Sequence, residues 1–400
     1  MSIDGFRDRT AVSGVGWTPL TKRSGETALT LGTTAALAAI ADAGLEPADI
    51  DGLVTFYWGT RDTPAPGEMV ASLGLTSCHM SFCDSSGGAW ACSALAAAAM
   101  AVHSGVCRNV LVYRAANSRS EPLDPATADL WPSGQRQWSE PFGATHAATL
   151  YGPSVSAYMA HYGIGNADFA ALAVQQRANA SLNSKALMKK PITAQDHQDS
   201  PWIIDPFRLL DCSAFNDGAM AVVVSSARDV RRRGDSTVTI RAVEGGSLGT
   251  PVTARTSRNR WELNAAHAAP ALYYRAGMTV EDIDIAQIYD PFTGMALLHI
   301  EQFGLTEPGG AAHSIGDGEL SLDGRLPVNT HGGHLSEGNV AGLGHVIEAV
   351  QQLRAGGVRD DNCNGDHDYD RTRCRQVRDP EVALVVGESG DSSLLLTRVS

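Results

Sequence analysis

The feature that most constrains this chain is an internal repeat. Ala43-Gly44-Leu45-Glu46-Pro47-Ala48-Asp49-Ile50-Asp51 recurs as Ala276-Gly277-Met278-Thr279-Val280-Glu281-Asp282-Ile283-Asp284, with one offset separating every matching pair. Each copy follows an apolar stretch of helical character, residues 35–41 and 269–274. The glycine in each copy is placed to cap that helix, because a residue without a Cβ takes the left-handed turn there without strain. Each copy then leads into a short apolar run, residues 53–57 and 285–289, that reads as a buried strand.

A second pair of features follows in the same order. Gly87-Gly88 precedes an Ala-rich helix ending near Gly105, and Gly332-Gly333 precedes a helix at about 343–353 ending near Gly356. Strands are expected after both, at 109–113 and 382–386. Two features recurring in one order point to duplication of an α/β unit. With 43% hydrophobic residues in 400, the chain has enough apolar material for two cores in contact. The expected architecture is therefore α/β. Two duplicated halves, residues 1–235 and 236–400, form a layered α-β-α-β-α arrangement with central helices between sheets.

Charge and cysteine usage exclude several function classes. The formal net charge is −13 and the Lys and Arg residues form no basic stripe, which argues against nucleic acid or an anionic membrane as partner. Residues 1–19 contain no continuous apolar h-region of a secretory signal, and the longest apolar stretch, 90–102, is too short to span a bilayer. A cytoplasmic location is expected. Seven widely spaced cysteines, an odd number, favour reduced thiols over a disulfide framework.

More specific segments carry a family resemblance. Asp211-Cys212-Ser213-Ala214-Phe215-Asn216-Asp217-Gly218-Ala219-Met220-Ala221-Val222 resembles the strand that closes the first half in the sterol-carrier-protein type of thiolase. Residues 176–183, Pro191-Ile192-Thr193 and Pro206-Phe207-Arg208-Leu209-Leu210 are similar to the same group. Tyr289-Asp290-Pro291-Phe292-Thr293 and Gly332-Gly333-His334-Leu335-Ser336-Glu337-Gly338 look most like the thiolase-like proteins that act as steroid side-chain aldolases. The resemblance covers almost the whole chain and implies the thiolase fold.

Set against that pattern, the thiolase catalytic groups are missing one after another. The nucleophilic Cys, which accepts and returns an acyl group as thiolate, belongs at Gly88, counting back from Gly105. Cys83 and Cys92 flank that position and read as small core cysteines. Tyr289 stands where the sterol-carrier type has a catalytic His, and Asn339 where the second thiolase His lies. No Cys occurs at 385–388, where the C-terminal thiolase Cys is expected.

What remains suits retro-aldol cleavage of a β-hydroxyacyl-CoA, which needs proton transfer and enolate stabilisation but no nucleophile. The resemblance assigns proton transfer to Tyr289, as base or acid; the alternative is an ordinary packing residue at a strand end. It also implies a second Tyr at position 339, where this chain has Asn339. An amide can hydrogen-bond a thioester oxygen or enolate but does not exchange protons usefully. Two readings stay open. Either Asn339 orients substrate while His334, Glu337 or water makes the second transfer, or the substrate has changed. His331 and His334 also read as loop residues without a catalytic role.

Gly88 and Gly338 precede helices whose free N–H groups suit a developing enolate oxygen. Together with Asp290, Phe292, Gly333 and Glu337 they form the expected substrate-binding set. The acidic stretch from Cys363 to Cys374, with Asp366, His367, Asp368 and Asp370, begins like a calcium loop. Arg371 replaces its turn Gly, and Val377 stands where the bidentate Glu belongs. A solvated insertion is expected, with no metal and no cofactor besides the CoA thioester substrate.

The leading expectation is a carbon–carbon lyase acting on a steroid or bile-acid side-chain CoA thioester. The resemblance implies a homodimer and a separate small partner with an OB-fold and zinc ribbon. A thiolase-fold acyltransferase lacking a Cys nucleophile, and a non-catalytic lipid-binding or scaffold subunit, are the alternatives. Because no Cys occupies the nucleophile position, turnover should survive iodoacetamide. Mass spectrometry of the enzyme quenched during turnover should find no acyl-Cys, and trapping one overturns the reading.

Overall fold

The computed structural model describes residues 5–56, 63–84, 90–117, 119–121, 136–232, 237–245, 259–354, 369–390 and 392–399. Gly88, Tyr57 and the 360–368 part of the acidic stretch lie outside the described residues. The strands are β1 (Thr10–Trp17), β2 (Gly52–Phe56), β3 (Met80–Asp84), β4 (Asn109–Ala116), β5 (Trp202–Ile204), β6 (Phe207–Arg208), β7 (Gly218–Ser226), β8 (Thr237–Gly245), β9 (Ile285–Ile288), β10 (Val382–Val386) and β11 (Ser392–Val399). β5 and β6 make a separate hairpin. The others run in the order β3-β2-β4-β7-β1-β8-β11-β10-β9.

The duplication is written into the strand pairing. In the first half β2 lies parallel to β4, β4 antiparallel to β7, and β7 antiparallel to β1. In the second half β9 lies parallel to β10, β10 antiparallel to β11, and β11 antiparallel to β8. The half-sheets meet only where β1 and β8 pair, at Ala11↔Thr239 and Val12↔Val238. β2, β9 and β10 are buried along their whole length. That is why they read as continuous apolar runs rather than alternating ones.

Two helices fill the centre. Trp90–His103 and Leu343–Leu353 share one core cluster that draws Val54, Val112 and Val222 from the first half-sheet and Ile240, Ile285 and Val385 from the second. Every residue of Leu343–Leu353 is buried. The outer face of the first half-sheet is covered by the helix Ala28–Asp42, and that of the second by Ala265–Ala276 and Thr293–Gln302. Five layers result, as expected for a thiolase fold.

Several elements differ from their sequence-based bounds. The helix expected at 35–41 runs over Ala28–Asp42, because Thr27 caps it by accepting from Thr30 N. The other continues through Pro270 to Ala276. Gly44 and Gly277 both take φ +65°, the left-handed turn expected of them. In the segment 211–222 only the part from Gly218 is strand. Before it, the Asp211 carboxylate accepts from Asn166 Nδ2 and Arg208 N and meets Thr293 Oγ1 and His197 Nε2, so side-chain bonds set the backbone there.

Among the described residues no helix is long and apolar enough to cross a membrane. Among the described residues Cys78, Cys83, Cys92, Cys107, Cys212 and Cys374 form no disulfide.

Close approach of the helix Ala28–Asp42 to β1 depends on missing side chains. A Cβ on Gly16 would overlap the Ala35 carbonyl oxygen and the Ala39 nitrogen, both backbone atoms that cannot swing aside. Gly16→Ala should therefore destabilise the protein by about 1–3 kcal/mol, the usual cost of overpacking a core. Urea denaturation checks this, and an unchanged midpoint contradicts the packing described.

Candidate active site

β9 and β10 are parallel neighbours, with Ile288 paired to Val386. The chain therefore leaves both strands at the same edge, into Tyr289 and into Gly387-Glu388. Carboxyl ends of parallel strands are the usual place for a site in α/β proteins, since the loops there converge on one crevice. Tyr289 N donates to Val386 O at 3.1 Å, which locks the two exits together.

Asp290 shapes the turn that follows. Its carboxylate accepts from His334 N (2.9 Å), Leu335 N (3.1 Å) and His345 Nε2 (3.0 Å). Gly333, at φ +62°, lies so close that a Cβ there would overlap the carboxylate. Asn329 clamps the strand end, accepting from Ile288 N (2.6 Å) and donating to Ile288 O (2.9 Å). The Tyr289 ring meets the edge of His334 at 4.7 Å between centroids and is 3% exposed. Its hydroxyl pKa is held well above the usual value. Burial is the main cause, followed by Glu388, Tyr151 and Asp290, with Arg114 opposing. Burial thus favours the protonated phenol.

The histidines beside Tyr289 are buried. His334 sits in the short helix Gly333–Ser336 rather than a loop and is buried. His331, His334 and His345 pack edge to face, with centroids 4.9 and 4.4 Å apart. Burial first, and then the neighbouring His345, pushes His331 and His334 well below the usual range. Asp290, His334 and His345 bring potential ligand atoms within 4.8 Å of one another. Asp290 holds the turn, His345 Nε2 donates to Ile288 O at 2.7 Å, and His334 Nε2 accepts from Gly342 N.

Other expected residues turn inward. Glu337 is buried beside Asn183 Nδ2 (2.9 Å) and Lys185 Nζ (3.7 Å), not facing a ligand space. Phe292 stacks on Phe207 at 4.5 Å. The N–H groups expected at Gly338 are engaged. Asn339 N donates to Asn216 Oδ1, Ala341 N to Asn339 Oδ1 and Gly342 N to His334, and the helix begins only at Leu343. Cys92 is no nucleophile, for burial pushes its thiol up to about 12. In the acidic stretch, Arg371 pairs with Asp323 at 2.7 Å and Asp370 bonds Thr372, an ordinary surface arrangement among the described residues.

Asn339 lies behind the wall of a cleft. Its Nδ2 donates to Ser213 Oγ at 3.3 Å, and Ser213 lines a cleft of about 910 Å³ with Lys22, Arg23, Arg119, Leu209 and Leu210. Ser213 N donates to Pro291 O, so the cleft wall backs directly onto the Tyr289–Phe292 turn. Glu388, Tyr151 and Arg114 act electrostatically on Tyr289, and Ser213 bonds Asn339, yet none of the four stands out in the sequence; the signal for Glu388 is a titratable group within 385–388, where the thiolase pattern has its C-terminal Cys.

Residues 251–364 match the family model described as "Thiolase C-terminal domain-like". The chain is 38% identical over 363 residues to the steroid side-chain-cleaving aldolase of Thermomonospora curvata, covering 87% of this chain and 91% of that protein. It is 37% identical over 359 residues to the 17-hydroxy-3-oxo-4-pregnene-20-carboxyl-CoA lyase of Mycobacterium tuberculosis, covering 87% and 92%. The solved Ltp2-ChsH2(DUF35) aldolase matches with a TM-score of 0.86 at 33% identity, covering 98% of each chain. The acetyl-CoA acetyltransferase of Syntrophomonas wolfei shares the fold, with a TM-score of 0.70 at 18% identity over 98% of this chain and 100% of that one.

Neutral buried histidines make stability depend on pH. His299, whose Nδ1 faces Tyr289 O at 3.1 Å, is pushed down to about 4, chiefly by burial. Unfolding returns a histidine to its ordinary value of about 6.5, so it takes up a proton on unfolding between those limits. The stabilisation is present above that window and is lost as pH falls through it, at about 1.4 kcal/mol per pH unit for each such histidine. His299→Gln should flatten the slope of unfolding free energy between pH 6 and 5 by up to that amount. Urea melts measure it, and an unchanged slope rejects the assignment.

Proposed function

This chain belongs to the thiolase superfamily, in the family of steroid side-chain-cleaving aldolases, and from that premise we propose that it breaks the Cα–Cβ bond of a steroid β-hydroxyacyl-CoA. The observation that carries the reading is Tyr289. It is a buried, protonated phenol at the carboxyl end of β9, in a chain with no thiol at the expected nucleophile or C-terminal cysteine positions. In the reaction the β-hydroxyl loses its proton and its C–O bond becomes a carbonyl. The Cα–Cβ bond breaks, and its electron pair forms the thioester enolate, which is then protonated at Cα. The products are a ketone or aldehyde and a shorter acyl-CoA. Tyr289 donates the proton to Cα.

The cleft beside Asn339 suits the CoA part of the substrate. Lys22, Arg23 and Arg119 offer cations for phosphate groups at its rim, and Leu209 and Leu210 supply apolar wall. Asn339, next to Ser213, is positioned to orient the thioester. The assembly we propose is a homodimer in the cytoplasm with a small OB-fold and zinc-ribbon partner. The aldolase structure that pairs an Ltp2 chain with a DUF35 partner supports that reading.

The substrate to try first is 17-hydroxy-3-oxo-4-pregnene-20-carboxyl-CoA, named for the M. tuberculosis relative; the expected products are a 17-ketosteroid and propanoyl-CoA. Tyr289→Phe keeps the ring and its packing but deletes the hydroxyl. Folding should survive while kcat falls by about 10² to 10⁴-fold, the usual range for a lost acid or base. Asn339→Tyr should retain or gain cleavage if Asn339 substitutes within the same reaction. Steady-state kinetics and thermal melts on the chain with and without its partner decide the matter, and wild-type turnover by Tyr289→Phe removes this residue from the mechanism.

A further inference from the structure

The reaction just proposed moves two protons, and a protonated Tyr289 handles only the one delivered to Cα. A base for the β-hydroxyl proton must stand on the same side of the site. Glu388 opens the short turn Glu388–Gly390 that follows β10, as Tyr289 follows β9, and the two strands are parallel and in register there. The turn is tightly held. Gly390, at φ +67°, is pressed against Ala265, where a Cβ would overlap backbone, and Gly387 N donates to Ser392 O at 2.8 Å. The Glu388 side chain is 7% exposed, and its Oε1 accepts a hydrogen bond from Tyr151 Oη, carried by the helix Ala147–Tyr162. The Tyr151 ring in turn rests near Phe292, at 5.9 Å between centroids. A buried carboxyl is thereby held at the strand exit next to the one that carries Tyr289.

We propose that Glu388 is the base that takes the β-hydroxyl proton, and that Tyr151 is the positioning residue for its carboxylate. This rests on the retro-aldol reading. The proton balance closes within the site. Glu388 takes the hydroxyl proton as the carbonyl forms and the Cα–Cβ bond breaks. The enolate takes the Tyr289 proton at Cα. The Glu388 carboxyl then returns its proton to the tyrosinate, restoring both groups without solvent. The electrostatics support this division of labour, since Glu388 is the foremost charge that raises Tyr289 and so keeps it an acid. The other groups facing Tyr289 are Asp290 from the same turn, Arg114 from β4, Tyr151, and the rings of His334 and His345. Asp290 is committed to two backbone N–H groups and His345, while His334 accepts from Gly342 N at Nε2 and is pushed by burial well below the usual range, which makes it a weak base.

The test is the pH profile of kcat/KM for the full-length chain, in the assembly in which it purifies, with the steroid β-hydroxyacyl-CoA as substrate. Wild type should lose activity on the acid side as Glu388 protonates. Glu388→Gln should lower kcat by about 10² to 10⁴-fold and abolish that acid limb with little change in melting temperature, while Glu388→Asp recovers part of the rate. Tyr151→Phe removes a hydrogen bond to the ionised carboxylate, so its acid limb should move up by about one pH unit. That shift decides the matter even if Glu388→Gln does not fold. Wild-type kcat in Glu388→Gln, or an unmoved limb in Tyr151→Phe, overturns the assignment while the retro-aldol reading stands. Failure of wild type itself to cleave the substrate overturns that reading, and this one with it.

Discussion

Asp290 carries three hydrogen bonds while wholly excluded from water, and the rest of the site is arranged around that fact. Removing a carboxylate from solvent costs several kcal/mol, which only well-aimed donors offset. Charge-assisted bonds from two backbone N–H groups and one imidazole meet that requirement. The consequence is geometric. Residues 333–335 must wrap around the carboxylate, Gly333 must lack a side chain to allow it, and His334 and His345 are seated against the Tyr289 ring. The reactive phenol is thus oriented by a residue that need not touch substrate.

Beneath the turn, the polar interior continues between the central helices and the second half-sheet. Glu348, in the fully buried helix Leu343–Leu353, pairs with the buried Arg375 at 3.0 Å and accepts from Thr330 Oγ1 and Gln352 Nε2. Burial alone would raise this carboxyl, yet Arg375 and Lys185 outweigh it and hold the group below its ordinary value. Such networks specify one packing arrangement, because any other leaves a charge unpaired in a dry core. They also explain why Glu337 and His331, which resemble site residues in sequence, belong to the scaffold.

A thiolase fold without its thiols keeps the place where the chemistry happened and changes the groups that stand there. Tyr289 follows the end of β9 and Glu388 the end of β10, so the two parallel strands deliver both side chains to the same edge of the sheet. Burial and the neighbouring Glu388 both favour the protonated phenol. Acyl transfer needs a nucleophile that can be regenerated; cleavage of a β-hydroxyacyl thioester needs only proton transfer and something to hold the thioester.

From the sequence alone, the duplication, the order of helices and strands, the missing thiols and the Tyr at the end of β9 could all be read. These are local or periodic properties, visible in the spacing of Ala43-Gly44 and Ala276-Gly277 and in the apolar runs at 285–288 and 382–386. Tertiary structure alone decided what surrounds the phenol. Tyr151 and Glu388 are 237 residues apart in the chain, and no pattern links them until the helix Ala147–Tyr162 packs beside the β10 exit. It also decided that Glu337 faces inward and that the Asn339 N–H is taken by Asn216. Burial and partnership depend on how distant segments pack, and no local pattern in the sequence encodes them.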